Sequence, residues 1–442
     1  MALGGGIFTT QNKVLPGSYI NFVSAARANA QVSDRGYAAI GLNLDWGREN
    51  AIIEVTGEDF QLRSMKLFGY DYSAEQMKPL RELFLNANTV YLYRLNSGGT
   101  KAANTYAEAL YGGTRGNDIT IIIESVTDGG YEVITKLDST EADRQRVTTA
   151  ADLTANDYVR FKSDASLAAT AGIPLTGGTN GTVDGAAHQA FLSLLESYSF
   201  NTLGCASADD TIKALYIAYT KRMRDEVGTK FQCVVYNKAA DYEGIINVKN
   251  KCLDGAAGSG ESITYPNEGA MVYWVTGATA GCAVNKSNLN KEYDGEYTPY
   301  ADYTQTELEA AIKAGEYAFH KVGSDIRVLN DINSLVTVSD TKGDVFKENQ
   351  TVIICDNIAN DIAYIFNTRY LGVVPNDNAG RTSLWADIVK YYEQLEDIRA
   401  IEDFDEADVT VAQGESKKAV VVNSAITVVN AMAQLYMTVT VG

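Results

Sequence analysis

The side chains that most often do chemistry are scarce in this chain and poorly spaced for it. His188 and His320 are the only imidazoles available for proton transfer or metal ligation. A zinc site would need thiol or carboxylate partners at short spacing, and neither HxxxH nor CxxC occurs. His188 precedes a helix and His320 follows an aromatic strand, so both read as structural. Gly258-Ser259-Gly260 is not a nucleophile elbow, because Ala257 stands where that motif requires glycine. Gly112-Gly113-Thr114-Arg115-Gly116 and Gly177-Gly178-Thr179-Asn180-Gly181 are rich in glycine. Neither carries the Gly-Lys-Ser/Thr of a phosphate loop or a full GxGxxG. They read as turns or interdomain hinges. Asp184-Gly185 lacks the spaced oxygen ligands of a calcium loop. The expectation is no catalytic residue, no cofactor and no metal.

Charge narrows the partners. Eight acids between Glu393 and Asp408 face the single base Arg399. They read as a solvated face, or as a patch complementary to a basic partner surface. Over 442 residues the formal charge is −19, which argues against nucleic acid and against anionic membrane surfaces, since both select Lys and Arg clusters. Cys205, Cys233, Cys252, Cys282 and Cys355 are odd in number, and several sit in apolar runs. Free, buried thiols in a reducing compartment follow. The segment Met1–Gly6 lacks a basic stretch followed by an apolar core, so no secretory signal is visible. No apolar run is long enough to span a bilayer. The 27 tyrosines suit subunit interfaces, where an aromatic body with a polar tip is favoured.

The length predicts about three domains at roughly 150 residues each. Residues 1–25 read as an extended arm, punctuated by Pro16 and Gly17, with Ser18 to Val23 alternating polar and apolar. Residues 26–97 and 184–340 read as an α/β core. It has strands at Ala38–Leu44, Thr89–Leu95, Phe231–Tyr236 and Ala270–Val275, and helices at Ala74–Asn86, Ala186–Tyr198 and Asp210–Val227. Thr304 and Glu307 form a capping box before the helix Leu308–Ala314. Residues 98–183 are an inserted small β-sandwich or barrel, with strands Ile119–Ile123, Tyr131–Leu137 and Asp157–Lys162 about the turn Asp128-Gly129-Gly130. Residues 341–442 form a last α/β unit. It holds the helices Gln350–Tyr370 and Thr382–Ile398, the strand Ala419–Asn423 and a terminal strand Gln434–Val441. The fold class is therefore α+β or α/β, multidomain.

Several pieces together resemble a known family. Leu15-Pro16-Gly17-Ser18-Tyr19-Ile20-Asn21-Phe22 resembles the P-G-x-Y-x-x-F opening of contractile tail sheath proteins. Gly112 to Ile119 is similar to their G-x-x-G-N-x-I/L entry to the inserted β-sandwich, and Leu175 to Gly181 to its Gly-Gly-x-x-Gly exit. Ala270 to Ala283, with Trp274, Gly277, Ala280 and Gly281, resembles their W-x-x-G-x-x-A-G segment. The unit from Asn330 to Gly442 matches in order and length. The likeness is greatest to the shorter sheaths of defective prophages, Gram-positive myophages and R-type bacteriocins.

The resemblance implies a structural subunit, not an enzyme. It would polymerise with itself as a helix around an inner tail tube protein, meet baseplate and tail terminator proteins, and contract to drive the tube through a bacterial envelope. It implies neither nucleic acid nor membrane insertion. The location implied is a virion tail or bacteriocin particle, assembled in the host cytoplasm and released on lysis. Exchanged strand arms would link neighbours by β-augmentation: Ser18, Tyr19, Ile20, Asn21, Phe22 and Val23 at one end, and Leu435, Tyr436, Met437, Thr438 and Val439 in the arm 434–442. Val420, Val421 and Val422 would be the receiving strand, unless these strands pair within one subunit. The C-terminal unit would face the tube, with Arg381 and Lys390 as contacts. A shell or sheath-like protein of another contractile injection system is the second reading; a hydrolase built on the α/β body is the third.

Overall fold

The computed structural model describes residues 32–127, 129–253 and 268–441. The chain divides into two compact units, one formed by residues 361–394 and 405–425 and the other by the remaining described residues from Ser33 onward. The expected arm Ser18–Val23 and the residues Gly258-Ser259-Gly260 lie outside the described residues.

The larger unit is built on a seven-stranded sheet. Its strands are β1 (Tyr37–Leu42), β2 (Ile52–Thr56), β3 (Thr89–Arg94), β8 (Thr202–Cys205), β9 (Gln232–Tyr236), β10 (Ile245–Val248) and β11 (Glu316–Tyr317). The inserted strands between β3 and β8 are β4 (Ile119–Ser125), β5 (Tyr131–Leu137), β6 (Thr140–Val147) and β7 (Thr170–Pro174). The order across the large sheet is β11-β10-β9-β8-β1-β3-β2. All pairings are parallel except β2 with β3. A parallel sheet must be covered on both faces, and the strands show it: every residue of β8, β9 and β10 is buried.

One face is covered by α1 (Gly57–Phe68), α2 (Lys78–Phe84) and α5 (Met271–Gly281), packing Phe60, Leu83 and Trp274 against Ile40 and Val55. The other is covered by α3 (Gly185–Leu195) and α4 (Asp210–Arg222), packing Phe191, Leu192 and Tyr216 against Leu203 and Cys233. Caps set where these helices begin. The hydroxyl of Thr56 accepts from the Asp59 amide for α1, and the Asp184 carboxylate from the Ala187 amide for α3. The box of Thr304 and Glu307 opens α6 (Gln305–Lys313).

The segment Ala270–Val275, expected as a strand, is the start of helix α5. Its residues 271–280 are all buried, and an apolar run buried all round has no period to separate strand from helix. What decides is the small-residue spacing. A Cβ on Gly277 would stand 2.3 Å from the Leu83 carbonyl oxygen, and one on Gly281 2.0 Å from that of Asn86. The helix lies directly on the backbone at the end of α2, and Trp274 Nε1 donates to Asp294 at 2.8 Å beside that contact.

The insertion between β3 and β8 is a four-stranded antiparallel sheet, order β6-β5-β4-β7, with a two-stranded sheet of Ala107–Ala109 and Val159–Phe161. Ile119, Ile121, Ile123, Val133 and Leu137 fill its core together with Trp46. Its two connections are not loose hinges. Asn117 Nδ2 donates to the Gly178 carbonyl at 2.9 Å, and the Gly178 amide returns a bond to Asn117 Oδ1 at 2.8 Å. Gly113 has φ +139°, and a Cβ there would sit 2.0 Å from the Asp45 carbonyl oxygen. The glycine-rich entry and exit are tight because they lie against each other and against the loop after β1. Arg94, fully buried at the end of β3, donates to the carbonyls of Gly47 and Gly112 at 3.1 and 2.7 Å. Arg115 bonds Gly69 O and spans Asp118 and Asp138.

Two further helices follow: α7 (Asn349–Ile365) and α8 (Asn378–Asp397). The smaller unit then closes with the antiparallel pair β12 (Val409–Gln413) and β13 (Val420–Ser424). None of the described helices is long and apolar enough to cross a membrane.

Candidate assembly surfaces

In the smaller unit, side chains lock a short helical scaffold under the hairpin. Asp387 on α8 accepts from Arg369 at 2.7 Å and from the Tyr370 hydroxyl at 2.5 Å. Burial, reinforced by that carboxylate, pushes the Tyr370 phenol up to about 12, so it stays a neutral donor. Tyr391 donates to Asp361 at 2.8 Å. Trp385 Nε1 reaches the Val409 carbonyl of β12 at 2.9 Å, and Tyr392 shares a hydrogen bond with Ser424 of β13. Asn376 donates to the carbonyls of Lys417 and Ala419, fixing the turn of the hairpin. These contacts hold the hairpin from one side.

The hairpin offers backbone. Val411 pairs with Val422 and Gln413 with Val420 in a two-stranded sheet, so among the described residues each strand keeps one open edge. Val421 and Val422 are exposed, at 45% and 37%. An edge strand with exposed branched side chains is a template for a further strand. The expected receiving residues Val420, Val421 and Val422 therefore sit in an open-edged strand that also pairs within its own chain.

The C-terminal segment, part of the larger unit, differs from its expected form. Gln434–Val441 was expected as a strand and has no regular secondary structure. Leu435, Tyr436, Met437, Val439 and Val441 are between 67% and 89% exposed. The physical reason is direct: a strand is stable only when a ladder satisfies its backbone, and no ladder to residues 434–441 forms within the described chain. The last backbone bond before it runs from the Ala431 amide to Gln350 Oε1 at 2.9 Å.

Arg381 and Lys390 do not share a face. They are nine positions apart on α8, which at about 100° per residue places them on opposite sides of the helix. Arg381 is occupied, donating to Asn376 and Asn378. Lys390 is exposed, and its ammonium has no partner among the described residues. It lies on the polar stripe with Ser383, Ala386, Glu393 and Asp397, all exposed.

Where chemistry was sought, local structure is found. His188 lies within α3 and shares a hydrogen bond with the buried Tyr216 hydroxyl at 2.9 Å; burial holds its imidazole below the usual range. His320 is paired with Arg327 in a short hairpin. None of the five cysteines forms a disulfide among the described residues, and all but Cys355 are buried. Three of the clustered acids act as local caps: Asp405 and Asp408 form a capping box, and Glu396 accepts from the Phe404 amide. Among the described residues no group of three His, Cys, Asp or Glu side chains is placed to hold a metal ion. The residues that sequence reasoning missed are Arg94 and Arg115. A cation closing an otherwise apolar strand, Tyr91-Leu92-Tyr93-Arg94, was the available signal for the first.

Among the described residues the molecule presents an open backbone edge at β13 and an exposed apolar C-terminal segment. Four domain descriptions fit it in series. They are the N-terminal region of domain III of a tail sheath protein at residues 35–95, the phage tail sheath β-sandwich domain at 97–180, the phage tail sheath central domain at 181–334 and the phage tail sheath C-terminal domain at 341–442. The chain belongs to the phage tail sheath protein family. It is similar to the phage-like element PBSX protein XkdK of Bacillus subtilis (strain 168), 32% identical with 99% of this chain and 100% of that protein covered. It is also similar to the solved sheath tail protein of Desulfitobacterium hafniense, 35% identical, TM-score 0.82, covering 94% of this chain and 98% of that one. The helical sheath of the anti-feeding prophage in its contracted state shares the fold at 13% identity, TM-score 0.56, over 97% of this chain and 99% of that one. The chain is a structural subunit of a contractile tail sheath and not an enzyme.

Proposed function

We propose that this subunit polymerises helically around an inner tail tube and that its terminal arms add strands to neighbouring copies. The observation that carries this is the C-terminal segment: residues 434–441 alternate apolar and polar yet find no ladder among the described residues. Leaving five large apolar side chains in water is unfavourable, at roughly 25 cal/mol for each Å² of apolar surface. A neighbour's open edge at β13 would satisfy both backbone and side chains. The residues Ser18 to Val23 are proposed as the second arm. A head-to-tail contact whose rotation does not close gives an open helical filament, the arrangement named for the anti-feeding prophage sheath.

On this reading residues 1–25 are an arm, 26–97 with 184–340 the core, 98–183 the insertion, and 341–442 the unit facing the tube. Lys390 on the exposed face of α8 is the better tube contact, and Arg381 shapes the helix entry. Baseplate and terminator proteins would cap the polymer, inside a phage or bacteriocin particle assembled in the host cytoplasm and released on lysis.

The test is negative-stain electron microscopy of the chain alone and of a form lacking residues 429–442. Hollow striated cylinders from the full chain, and none from the shortened one, are expected. Cylinders from both would remove the C-terminal arm from the account.

A further inference from the structure

The large sheet reverses its order between β1 and β8. From β1 the sheet grows one way through β3 and β2, and from β8 the other way through β9, β10 and β11. Loops leaving the carboxyl ends of two such strands diverge to opposite faces, and a crevice opens between them. In open α/β sheets this is where ligands bind. Here the crevice is a cavity of about 370 Å³, lined at the end of β1 by Leu42 to Leu44 and at the end of β8 by Cys205 to Ser207. That volume lies within the range of small-molecule sites.

Its walls have a definite chemistry. Leu44, Met77 and Leu80 supply apolar surface and Tyr273 an aromatic ring. His188 supplies the polar point. It is only 6% exposed, and its Nδ1 is bonded to the Tyr216 hydroxyl at 2.9 Å. A fully buried phenol donates its single proton there, which leaves Nε2 as the N–H of a neutral imidazole. Nε2 has no hydrogen-bond partner among the described residues. Burial depresses the imidazole pKa, so this ring is neutral at neutral pH. No Lys or Arg lines the cavity, and the nearest charges acting on His188 are Asp184 and Asp209. No charged side chain lines the cavity, so a phosphate or carboxylate would find no counter-charge in its walls.

We propose that this cavity binds a small neutral heteroaromatic molecule of nucleobase size, its ring between the apolar walls and a lone pair accepting from His188 Nε2. Nothing in the assembly reading requires the site, and its occupant would act on the core by mass action, stabilising the folded subunit that holds it.

Adenine, cytosine and nicotinamide are the probes, each titrated into the full chain by calorimetry and by ligand-observed NMR, with adenosine monophosphate as the charged counterpart. At least one neutral probe binds, and the monophosphate binds less well than adenine. His188→Phe keeps the ring and removes the donor, so affinity falls about tenfold, the equivalent of one hydrogen bond. Asn43→Trp, at an exposed position of the rim, blocks the cavity without touching the core and abolishes binding. It keeps the test decisive if the histidine variant fails to fold. No binding by any neutral probe overturns the proposal. So does binding that Asn43→Trp leaves unchanged, or tighter binding of the monophosphate than of adenine.

Discussion

The inserted sheet and the C-terminal hairpin are both antiparallel β-structure, and they are completed differently. In the insertion, β4 is flanked on both sides, its inward residues Ile119, Ile121 and Ile123 are sealed, and the two connections are bound to each other through Asn117 and Gly178. In the hairpin, two strands pair with no third among the described residues, and Val421 and Val422 are exposed. A two-stranded ribbon is marginal by itself. The contrast separates β-structure that is completed within the chain from β-structure that keeps open edges among the described residues.

The largest expected effect lies at the junction of the insertion. Arg94→Ala strips the donors from two buried carbonyls and leaves Glu49, 3.5 Å away, without its cation. A loss of about 3 to 5 kcal/mol in urea-unfolding stability is expected, and a loss under 1 kcal/mol would mean that the junction is not tight. Next comes Ile121→Ala, fully buried in β4, with a cost of about 3 kcal/mol.

A smaller effect sharpens the picture of the finished core. Burial raises the Glu82 carboxyl above its ordinary value, although it accepts from the Tyr293 hydroxyl and the Glu296 amide. A raised folded-state pKa favours the protonated form, so its contribution is fully present below the unfolded value near 4.5 and is lost as pH rises through the folded value. The wild type should therefore lose urea resistance relative to Glu82→Gln as pH climbs above 4.5. Parallel curves for the two proteins would remove the assignment. The smallest effect belongs to the hairpin. Val422→Thr should change subunit stability by less than about 0.5 kcal/mol while slowing polymerisation, followed by light scattering. A large loss of subunit stability would mean that the hairpin is as finished as the insertion.

Much of the core was readable because its periods are clean. Helix α4 buries Lys213, Tyr216, Ile217 and Thr220 at helical spacing and was expected over Asp210–Val227; it runs to Arg222 and then widens into a π-turn, Met223–Val227. Helix α5 was misread because burial on every side erases periodicity, and only the small residues Gly277 and Gly281 betray the close packing. Strand β6, Thr140–Val147, is largely exposed and carries no apolar alternation to find. The glycine motifs were seen, but their purpose as a tight junction needed the spatial neighbours Asp45 and Asn117. At the C-terminus the alternation of Leu435, Met437 and Val439 was plain. A strand nevertheless needs a partner, and that partner is not encoded next to it.

Amide hydrogen exchange of residues 434–441, compared between dilute subunit and assembled cylinders, tests the central claim most directly. The account predicts rapid exchange in the subunit and protection of at least about a hundredfold in the cylinder, as for a laddered strand. Equally rapid exchange in both would contradict it.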